Sequence, residues 1–551
     1  MKSELKNGTL VLKGTNRDGK WNMSYGTVEH FKTHSYPIPD EVTEIVESKL
    51  ALEEISLDDY PFKTVPWSHQ EEGMKWFLSH KRCALTHCMG SGKTKTALDS
   101  IGFLFWKGRA KRALVIAPIA VHPQWVKQFK QHASFGSMYV SKDTASARKF
   151  CTEDLDSLTN TIYLINYEKI QFVEKELLKA KFDVIICDES TKIKNHGAKR
   201  TKALAKIARN ATYVANMTGT PITRNLVDLF GQYLVMDQFW FGKSYWGFRN
   251  RYCRMGGWMQ KQVVGYYREE ELRRIIDLTA HTVLKKDVLA YLPPKIPEER
   301  VVQMDELQQH IYNRTATEFL VEIDNGVIDI KNAVSRITRL QQIANGFAVN
   351  QNGDQVHISN SKINAVMDVI EEVEETEPIV IWCRFHHDIN ELRQRIGEKF
   401  PTREIFELSG KTKDHGVLLE SYENSINGVL LAQIQTGGVG IDLSFVHTSI
   451  IFSNTFSYGD REQLEDRCHR PGLKTSVTYV DMVVEDSVDR KIQQVLNLKK
   501  SLSQWVLEKK GNLRDLLAPV GVFRSKKISK KLNDALRHQH LVVEPEESPH
   551  E

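Results

Sequence analysis

The sequence contains few cysteines, seven in 551 residues, at positions 83, 88, 151, 187, 253, 383 and 468. No two of them form a CxxC pair, so the cysteines indicate neither a zinc site nor a disulfide framework. Reduced thiols are the simplest interpretation of an odd and scattered set. We therefore expect a cytoplasmic protein, and we favour a bacterial or viral-host cytoplasm over a nucleus.

Long apolar runs and a large excess of one charge are also missing. No run approaches the length of a membrane span, and no charged-then-apolar leader opens the chain, so we expect no membrane partner. The net charge of +5 is small for this length. Binding to nucleic acid would therefore depend on a local basic surface.

The composition that remains is that of a globular protein with real hydrophobic cores. Hydrophobic residues make up 41% and charged residues 26% of the chain. Such values exclude a disordered chain, and the length allows several domains.

Two series of apolar runs alternate with helical segments, which predicts an α/β fold with two parallel-sheet lobes. We expect nucleotide to bind in a cleft between these lobes. The first series comprises 113–117, 161–165, 184–187 and 212–215, and the second comprises 379–382, 428–432, 449–452 and 477–480.

A glycine-rich stretch, HCMGSGKT at 87–94, lies between an apolar run and a helix-favouring run. Backbone N–H groups of such a turn can surround phosphates, while Lys93 reaches the terminal phosphates and Thr94 holds Mg²⁺. His87 stands where the full phosphate-loop pattern has glycine. The alternative is a Gly-Ser-Gly turn that happens to precede a lysine.

Two carboxylates, Asp188 and Glu189, follow the apolar run 184–187. At the carboxyl end of a buried strand they are placed to meet a ligand at the sheet edge. We expect Asp188 to hold Mg²⁺ and Glu189 to polarise an attacking water. An ordinary acidic turn is the alternative, and the upstream phosphate loop argues against it.

The second series carries its own charged and glycine-rich segments. Arg467 and Arg470 are three residues apart, hence on one face if this stretch is a helix, and could reach a γ-phosphate as arginine fingers. The turn 435–443, with Gly440 and Asp442, could offer N–H groups to a phosphate of nucleotide or nucleic acid.

The motifs and their order along the chain resemble those of a superfamily-two helicase of the Swi/Snf-type branch. The resemblance implies that Gln70 reads adenine and that 117–118 with 124–125 touch the DNA backbone. The matching segments are 67–70 with Gly73, Trp76 and Phe77 (Q motif), Met89-Gly90-Ser91-Gly92-Lys93-Thr94 (motif I), 117–118 and 124–125 (motif Ia), 188–191 (motif II), 218–221 (motif III), 435–443 (motif V) and 463–472 (motif VI).

Further segments resemble features that separate this branch from other helicases, and one resembles a subgroup of the branch. Residues 225–230 look like its insertion, and 284–288 with 292–295 look like its linker. Tyr252-Cys253, Gly265 and Glu271-Leu272 look closest to the fork-remodelling, annealing-helicase subgroup. Departures from the usual pattern occur at His87-Cys88, Ser190-Thr191 and Lys285-Lys286.

The resemblance implies two RecA-like lobes, ATP and Mg²⁺ as cofactors, and double-stranded or branched DNA as partner. We expect lobe 1 at 61–290 and lobe 2 at 291–510, with helical insertions. A small module at 1–60, with a hairpin near 10–25, and a basic then acidic tail at 511–551 would flank them. Aromatic residues between 239 and 252 are predicted to form helix core rather than base-stacking platforms.

The motifs are compatible with three functions. The first is an ATP-dependent DNA translocase or helicase that remodels branched or forked DNA. The second is a nucleotide-gated DNA-binding protein with weak hydrolysis, and the third is an RNA-directed helicase of the same superfamily. The sequence shows no identifiable histone-reading module.

Overall fold

The structure is a computed structural model of the chain. It describes residues 2–6, 9–13, 52–152, 159–223, 225–256, 262–288, 291–324, 330–350, 352–412, 414–434, 441–470 and 473–508. Two parallel sheets, each flanked by helices, organise this part of the chain.

The first sheet has seven parallel strands in the order β11-β3-β8-β7-β4-β6-β5. A short hairpin precedes it in the chain, and a two-stranded antiparallel ribbon is inserted before its last strand. In chain order these strands are β1 (Lys2–Lys6), β2 (Thr9–Lys13), β3 (Arg82–His87), β4 (Arg112–Ile116), β5 (Ser137–Val140), β6 (Thr161–Ile165), β7 (Val184–Asp188), β8 (Tyr213–Met217), β9 (Cys253–Gly256), β10 (Gln262–Tyr266) and β11 (Ala280–Val283).

The second sheet has six parallel strands in the order β12-β19-β18-β15-β17-β16. A small antiparallel hairpin, β13–β14, is inserted after its first strand. These strands are β12 (Lys295–Val302), β13 (Phe347–Val349), β14 (Gln355–His357), β15 (Ile379–Cys383), β16 (Ile405–Leu408), β17 (Val429–Gln433), β18 (Thr448–Ile451) and β19 (Val477–Val484).

Helices connect the strands and cover the sheets. Their bounds are Ser68–His80, Lys93–Trp106, His122–His132, Thr144–Thr152, Tyr167–Ile170, Glu174–Ala180, Lys199–Ala208, Asp228–Met236, Gln238–Phe241, Tyr245–Tyr252, Glu269–Thr279, Lys285–Val288, Glu306–Asp324, Ile330–Ala344, Ser361–Glu372, His386–Lys399, His415–Asn424, Tyr458–Cys468 and Val488–Glu508. None of the helices in the described ranges is both long and apolar enough to cross a membrane.

The central strands are buried from end to end, which explains their unbroken apolar sequences. Every residue of β7 and of β15 is buried. A parallel strand covered on both faces needs apolar side chains at odd and even positions alike. All eight runs of the two predicted series coincide with strands, so the α/β prediction with two parallel-sheet lobes is confirmed.

The aromatic segment between β8 and β11 forms a core of its own. Phe239, Phe241, Phe248 and Tyr252 are buried in one cluster with the helix Glu269–Thr279. The helix-core interpretation is therefore confirmed for these residues. Trp246, by contrast, is exposed and stacks against the Arg249 guanidinium.

Of the hairpin predicted near 10–25, the structure describes residues 10–13, which belong to strand β2. Strand β2 pairs with the preceding strand β1, so that Lys2 lies opposite Lys13. The rest of the predicted hairpin, up to residue 25, and the whole tail 511–551 lie outside the described residues.

Candidate functional site

The phosphate loop follows β3 and contains two glycines with left-handed backbone. Gly90 has φ 82° and Gly92 has φ 81°, values that side-chain-bearing residues seldom adopt. A Cβ at Gly92 would lie 2.2 Å from the amide nitrogen of Gln70, so the chain has no room for a side chain there. The glycines thus allow the loop to close against the helix Ser68–His80.

Lys93 and Thr94 begin the helix Lys93–Trp106, directly after the loop. The Lys93 ammonium donates hydrogen bonds to the carbonyls of His87, at 2.9 Å, and Cys88, at 3.1 Å. Its charge is therefore held over the loop at a helix N-terminus, an arrangement that attracts anions. Thr94 is half-buried, and it lines the same cavity as Lys93.

Gln70, in the helix Ser68–His80, contacts the phosphate loop. Its amide nitrogen donates to the Ser91 carbonyl at 3.0 Å, and its amide oxygen accepts from the Trp67 backbone N–H at 3.0 Å. His69 Nε2 lies 2.8 Å from the same Ser91 carbonyl. In this structure the Gln70 carboxamide therefore supports the loop, and its reading of adenine stays a prediction.

Asp188 ends β7 and Glu189 follows it, and two buried aromatic residues hold Asp188 in place. The Trp125 indole donates to the Asp188 carboxylate at 2.8 Å, and the Tyr167 hydroxyl donates to the Asp188 carbonyl at 2.7 Å. Glu189 has φ 50°, a strained backbone for a glutamate and one often found at functional sites.

The two carboxyl groups share a buried environment that disfavours their charged forms. Burial raises the pKa of Asp188, and burial together with Asp188 raises the pKa of Glu189. The positive charge of Lys93 opposes both shifts, and Arg467 opposes the shift at Glu189. The site is thus a pair of carboxyl groups, with Asp188 buried and Glu189 half-buried, that is balanced by cations from both lobes.

Arg467 lies in the helix Tyr458–Cys468, and Arg470 lies beyond its end. The expected single helical face is therefore wrong, because the chain leaves helical geometry at His469.

Burial and Arg470 lower the pKa of Arg467 to about 10. Arg470 donates to the Ile441 carbonyl at 2.9 Å, and its guanidinium is 3.6 Å from the exposed Asp442. Gly440 lies outside the described residues.

A cleft of ≈ 250 Å³ brings most of these residues together. It is lined from the first lobe by the phosphate loop, both carboxylates and residues of the helix His122–His132, and from the second lobe by the two arginines. The lining residues are Met89, Gly90, Gly92, Lys93, Thr94, Val121, Gln124, Trp125, Gln128, Asp188, Glu189, Asp466, Arg467 and Arg470.

The donor set of the cleft fits Mg²⁺ and a polyphosphate. Thr94, Asp188 and Glu189 offer the oxygen ligands that Mg²⁺ prefers, next to backbone N–H groups at a helix N-terminus. Lys93 and the two arginines supply positive charge for phosphate oxygens.

The linker between the sheets is tied to the helix Tyr458–Cys468. Lys285 donates to the Asp466 carboxylate at 2.9 Å and to the His469 carbonyl at 2.6 Å. Lys295, the first residue of β12, donates to Glu465 at 2.9 Å and to Asp466 at 3.1 Å. The segment that joins the lobes therefore contacts the element that carries Arg467.

Several supporting residues have no clear signal in the sequence. Trp125 belongs to the segment expected to touch DNA, but its side chain is 1% exposed and serves Asp188 instead. Ser190 donates to Gln232 at 2.7 Å, and Gln232 in turn donates to the Pro221 carbonyl at 2.7 Å. This chain of bonds joins motif II to motif III, and only the folded chain brings its members together.

Comparison with known proteins gives two domain matches and several relatives. An uncharacterized ATP-dependent helicase of Mycoplasma genitalium is 25% identical, covering 86% of this chain and 47% of that protein. One from Mycoplasma pneumoniae is 25% identical over 79% of this chain and 41% of its own length. This chain thus spans less than half of either. Putative protein p41 of Acyrthosiphon pisum secondary endosymbiont phage 1 is 25% identical, over 80% of this chain and 98% of its own.

Among solved structures, the Sulfolobus solfataricus SWI2/SNF2 ATPase core in complex with dsDNA matches with a TM-score of 0.39 and 23% identity, over 87% of this chain and 98% of that one. Residues 361–472 match the helicase conserved C-terminal domain, and residues 69–349 match the SNF2-related domain. Because the SNF2-related match spans just over half of the chain, the protein belongs to the SNF2-related family, and a helicase conserved C-terminal domain follows in the same chain.

Proposed function

We propose that the protein is an ATP-driven translocase on double-stranded DNA that remodels branched or forked DNA. The observation that carries the proposal is the single cleft lined by Lys93, Asp188 and Glu189 from one lobe and by Arg467 and Arg470 from the other. Such a site is complete only when the lobes face each other, so hydrolysis and lobe movement are coupled.

Within the cleft, each side chain has a chemical task. Lys93 attracts the terminal phosphates as a point charge, and Glu189 accepts the proton of the attacking water. Mg²⁺ held by Thr94 and Asp188 would neutralise charge on the phosphate oxygens. Arg467 and Arg470 stabilise the charge that develops as the phosphoryl group transfers.

Contacts outside the cleft support the coupling of hydrolysis to movement. The Ser190–Gln232–Pro221 chain joins the carboxylate pair to the loop of motif III. Thr220 of that loop approaches Gly459, at the start of the helix that carries Arg467. A change at the phosphate therefore has a physical route to the second lobe.

A preference for branched DNA rests on energy balance. Separating strands costs about 1.4 kcal/mol per base-pair step in lost stacking. In branch migration each broken pair is replaced by a new one, so the net cost per step is close to zero. A motor that only translocates along duplex DNA can therefore drive migration without a wedge that splits strands.

The segment that resembles the annealing-helicase subgroup is well ordered by polar contacts. Arg251 and Tyr252 both bind the Glu271 carboxylate, at 2.6 and 2.5 Å. This ties the helix Tyr245–Tyr252 to the helix Glu269–Thr279 beside the first sheet. We infer that this insertion is a rigid platform on the motor rather than a separate wedge.

The test is a gel assay with four-way junctions, fork mimics, blunt duplexes and structured RNA of matched length, each with ATP. We expect the protein to convert the junction and the fork, with Glu189→Gln as the inactive control. Efficient unwinding of the blunt duplex without preference for branched DNA would indicate an ordinary helicase. DNA binding that responds to ATP without any conversion or hydrolysis would indicate a nucleotide-gated binding protein.

A further inference from the structure

A second cluster of metal-ligating side chains lies in the second lobe, away from the nucleotide cleft. His357 ends the hairpin strand β14, while His387 and Glu391 lie in the helix His386–Lys399. One ligand atom from each residue lies within 4.8 Å of the other two. The His357 Nδ1 to Glu391 Oε2 distance is 3.7 Å, and His387 Nε2 is 4.0 Å from Glu391 Oε1.

These contacts are too long for hydrogen bonds, and they leave a buried nitrogen without a partner. His387 Nε2 is shielded from solvent and has no hydrogen-bond partner in the structure. The lone pair of an imidazole nitrogen is a common metal ligand. A metal ion between the three side chains would satisfy that nitrogen.

The backbone around the cluster fixes its members in place. His357 lies directly opposite Phe347 in the β13–β14 register, and the buried Phe347 ring packs 4.2 Å from the His387 ring. Asp388, next to His387, is anchored by Asn345 at 2.9 Å and Ser453 at 3.0 Å. The hairpin and the helix therefore hold both imidazoles side by side.

The spacing of the ligands suits one ion. His387 and Glu391 are four residues apart, hence on one face of their helix. In a tetrahedral zinc site with bonds of about 2.0–2.1 Å, ligand atoms lie about 3.3 Å apart, so modest side-chain rotations would close this cluster. Two histidines and one carboxylate form a set that zinc accepts, with water as the fourth ligand.

We propose that His357, His387 and Glu391 bind one zinc ion, which pins the β13–β14 hairpin to the helix His386–Lys399. The site is separate from ATP chemistry, because none of the three residues lines the nucleotide cleft. His357 also lies between the two matched domain ranges, which end at 349 and resume at 361. The proposal does not depend on the proposed function.

The test is calorimetric titration of the full-length protein, stripped with EDTA, with ZnCl₂ in the absence of nucleotide and DNA. We expect one zinc per chain. His357→Ala, His387→Ala and Glu391→Gln should each weaken binding by more than about tenfold, since loss of even an outer-shell partner has that effect. His386→Ala, the neighbouring imidazole, should bind zinc as the wild type does.

Two further measurements keep the test decisive if His387→Ala misfolds. Glu391→Gln and His357→Ala change partly exposed side chains, and a melting curve of each checks the fold. In the wild type, zinc should slow hydrogen exchange in the β13–β14 hairpin, and neither variant should show this. Binding well below one ion per chain, or equal binding by the wild type and these variants, would overturn the proposal.

Discussion

The phosphate loop requires glycine at position 92 for two reasons that the sequence pattern does not show. One is the backbone conformation, and the other is the close contact with Gln70. Its φ of 81° strains any side chain, and a Cβ would lie 2.2 Å from the Gln70 amide nitrogen. We predict that Gly92→Ala weakens ATP binding by more than about tenfold, because the new methyl group displaces Gln70 and the loop.

Gly108 provides the matched control for this change. It also has positive φ, 64°, but a Cβ there would meet nothing within 4 Å. Gly108→Ala should cost about 1 kcal/mol of stability and leave ATP affinity unchanged. Equal ATP affinity of Gly92→Ala and Gly108→Ala, measured by calorimetry, would contradict the role given to the Gln70 contact.

The second prediction for a single residue concerns Glu189. Glu189→Gln should keep ATP binding, because the amide preserves shape, while turnover falls by about 10²–10⁴ because the amide accepts no proton. ATP binding and single-turnover hydrolysis are measured on the same preparation, so that retained binding shows that the variant is folded. A variant that hydrolyses ATP at the wild-type rate would remove Glu189 from the mechanism.

At this scale the sequence identified the residues but not their contacts. Lys93, Asp188, Glu189, Arg467 and Arg470 all line one cleft, as their motifs suggested. The Trp125 indole bond to Asp188 and the position of Arg470 beyond a helix end depend on how distant segments pack. Neither is encoded in local spacing.

At the scale of elements, a buried ion pair holds the second lobe together. Lys362, in the helix Ser361–Glu372, is 1% exposed and lies 2.7 Å from Asp489, at the start of the helix Val488–Glu508. Its ammonium also donates to Asn345 at 3.0 Å. Removing the lysine leaves a buried carboxylate without its cation.

We predict that Lys362→Met destabilises the second lobe by about 3–5 kcal/mol. The measurement is hydrogen exchange of peptides that cover β15. Lys399→Met is the control, because the Lys399–Glu371 pair is 42% and 52% exposed and should contribute less than about 1 kcal/mol. If the two variants exchange alike, the buried pair does not stabilise this lobe.

Apolar periodicity predicted most strands, because parallel strands covered on both faces must be apolar throughout. It did not predict the four edge strands of the two sheets, β5, β11, β12 and β16. β11 reaches the first sheet only after a long helical insertion, and β12 pairs along its whole length with β19, close to the other end of the described chain. Such pairings are set by tertiary packing and leave no local pattern. The zinc-site residues are likewise close only in the folded lobe.

At the scale of the whole molecule, the proposed function requires two lobes that make one catalytic site. The linker lysines bind the helix that carries Arg467, and Arg470 projects into the cleft that Lys93 lines. DNA that spans both lobes would favour the arrangement in which the cleft is closed. Stimulation by DNA is therefore the property that separates a motor from an isolated nucleotide-binding lobe.

The most direct measurement is the ATPase rate of Arg470→Ala, with and without duplex DNA, beside the wild type. Arg395→Ala is the control, since Arg395 is a partly exposed arginine of the same lobe. We predict that Arg470→Ala binds ATP with nearly unchanged affinity and that its DNA-stimulated ATPase rate is lower than that of the wild type by a factor of about 10³ or more. Stimulation that survives in Arg470→Ala, or basal and stimulated rates that fall equally, would contradict it.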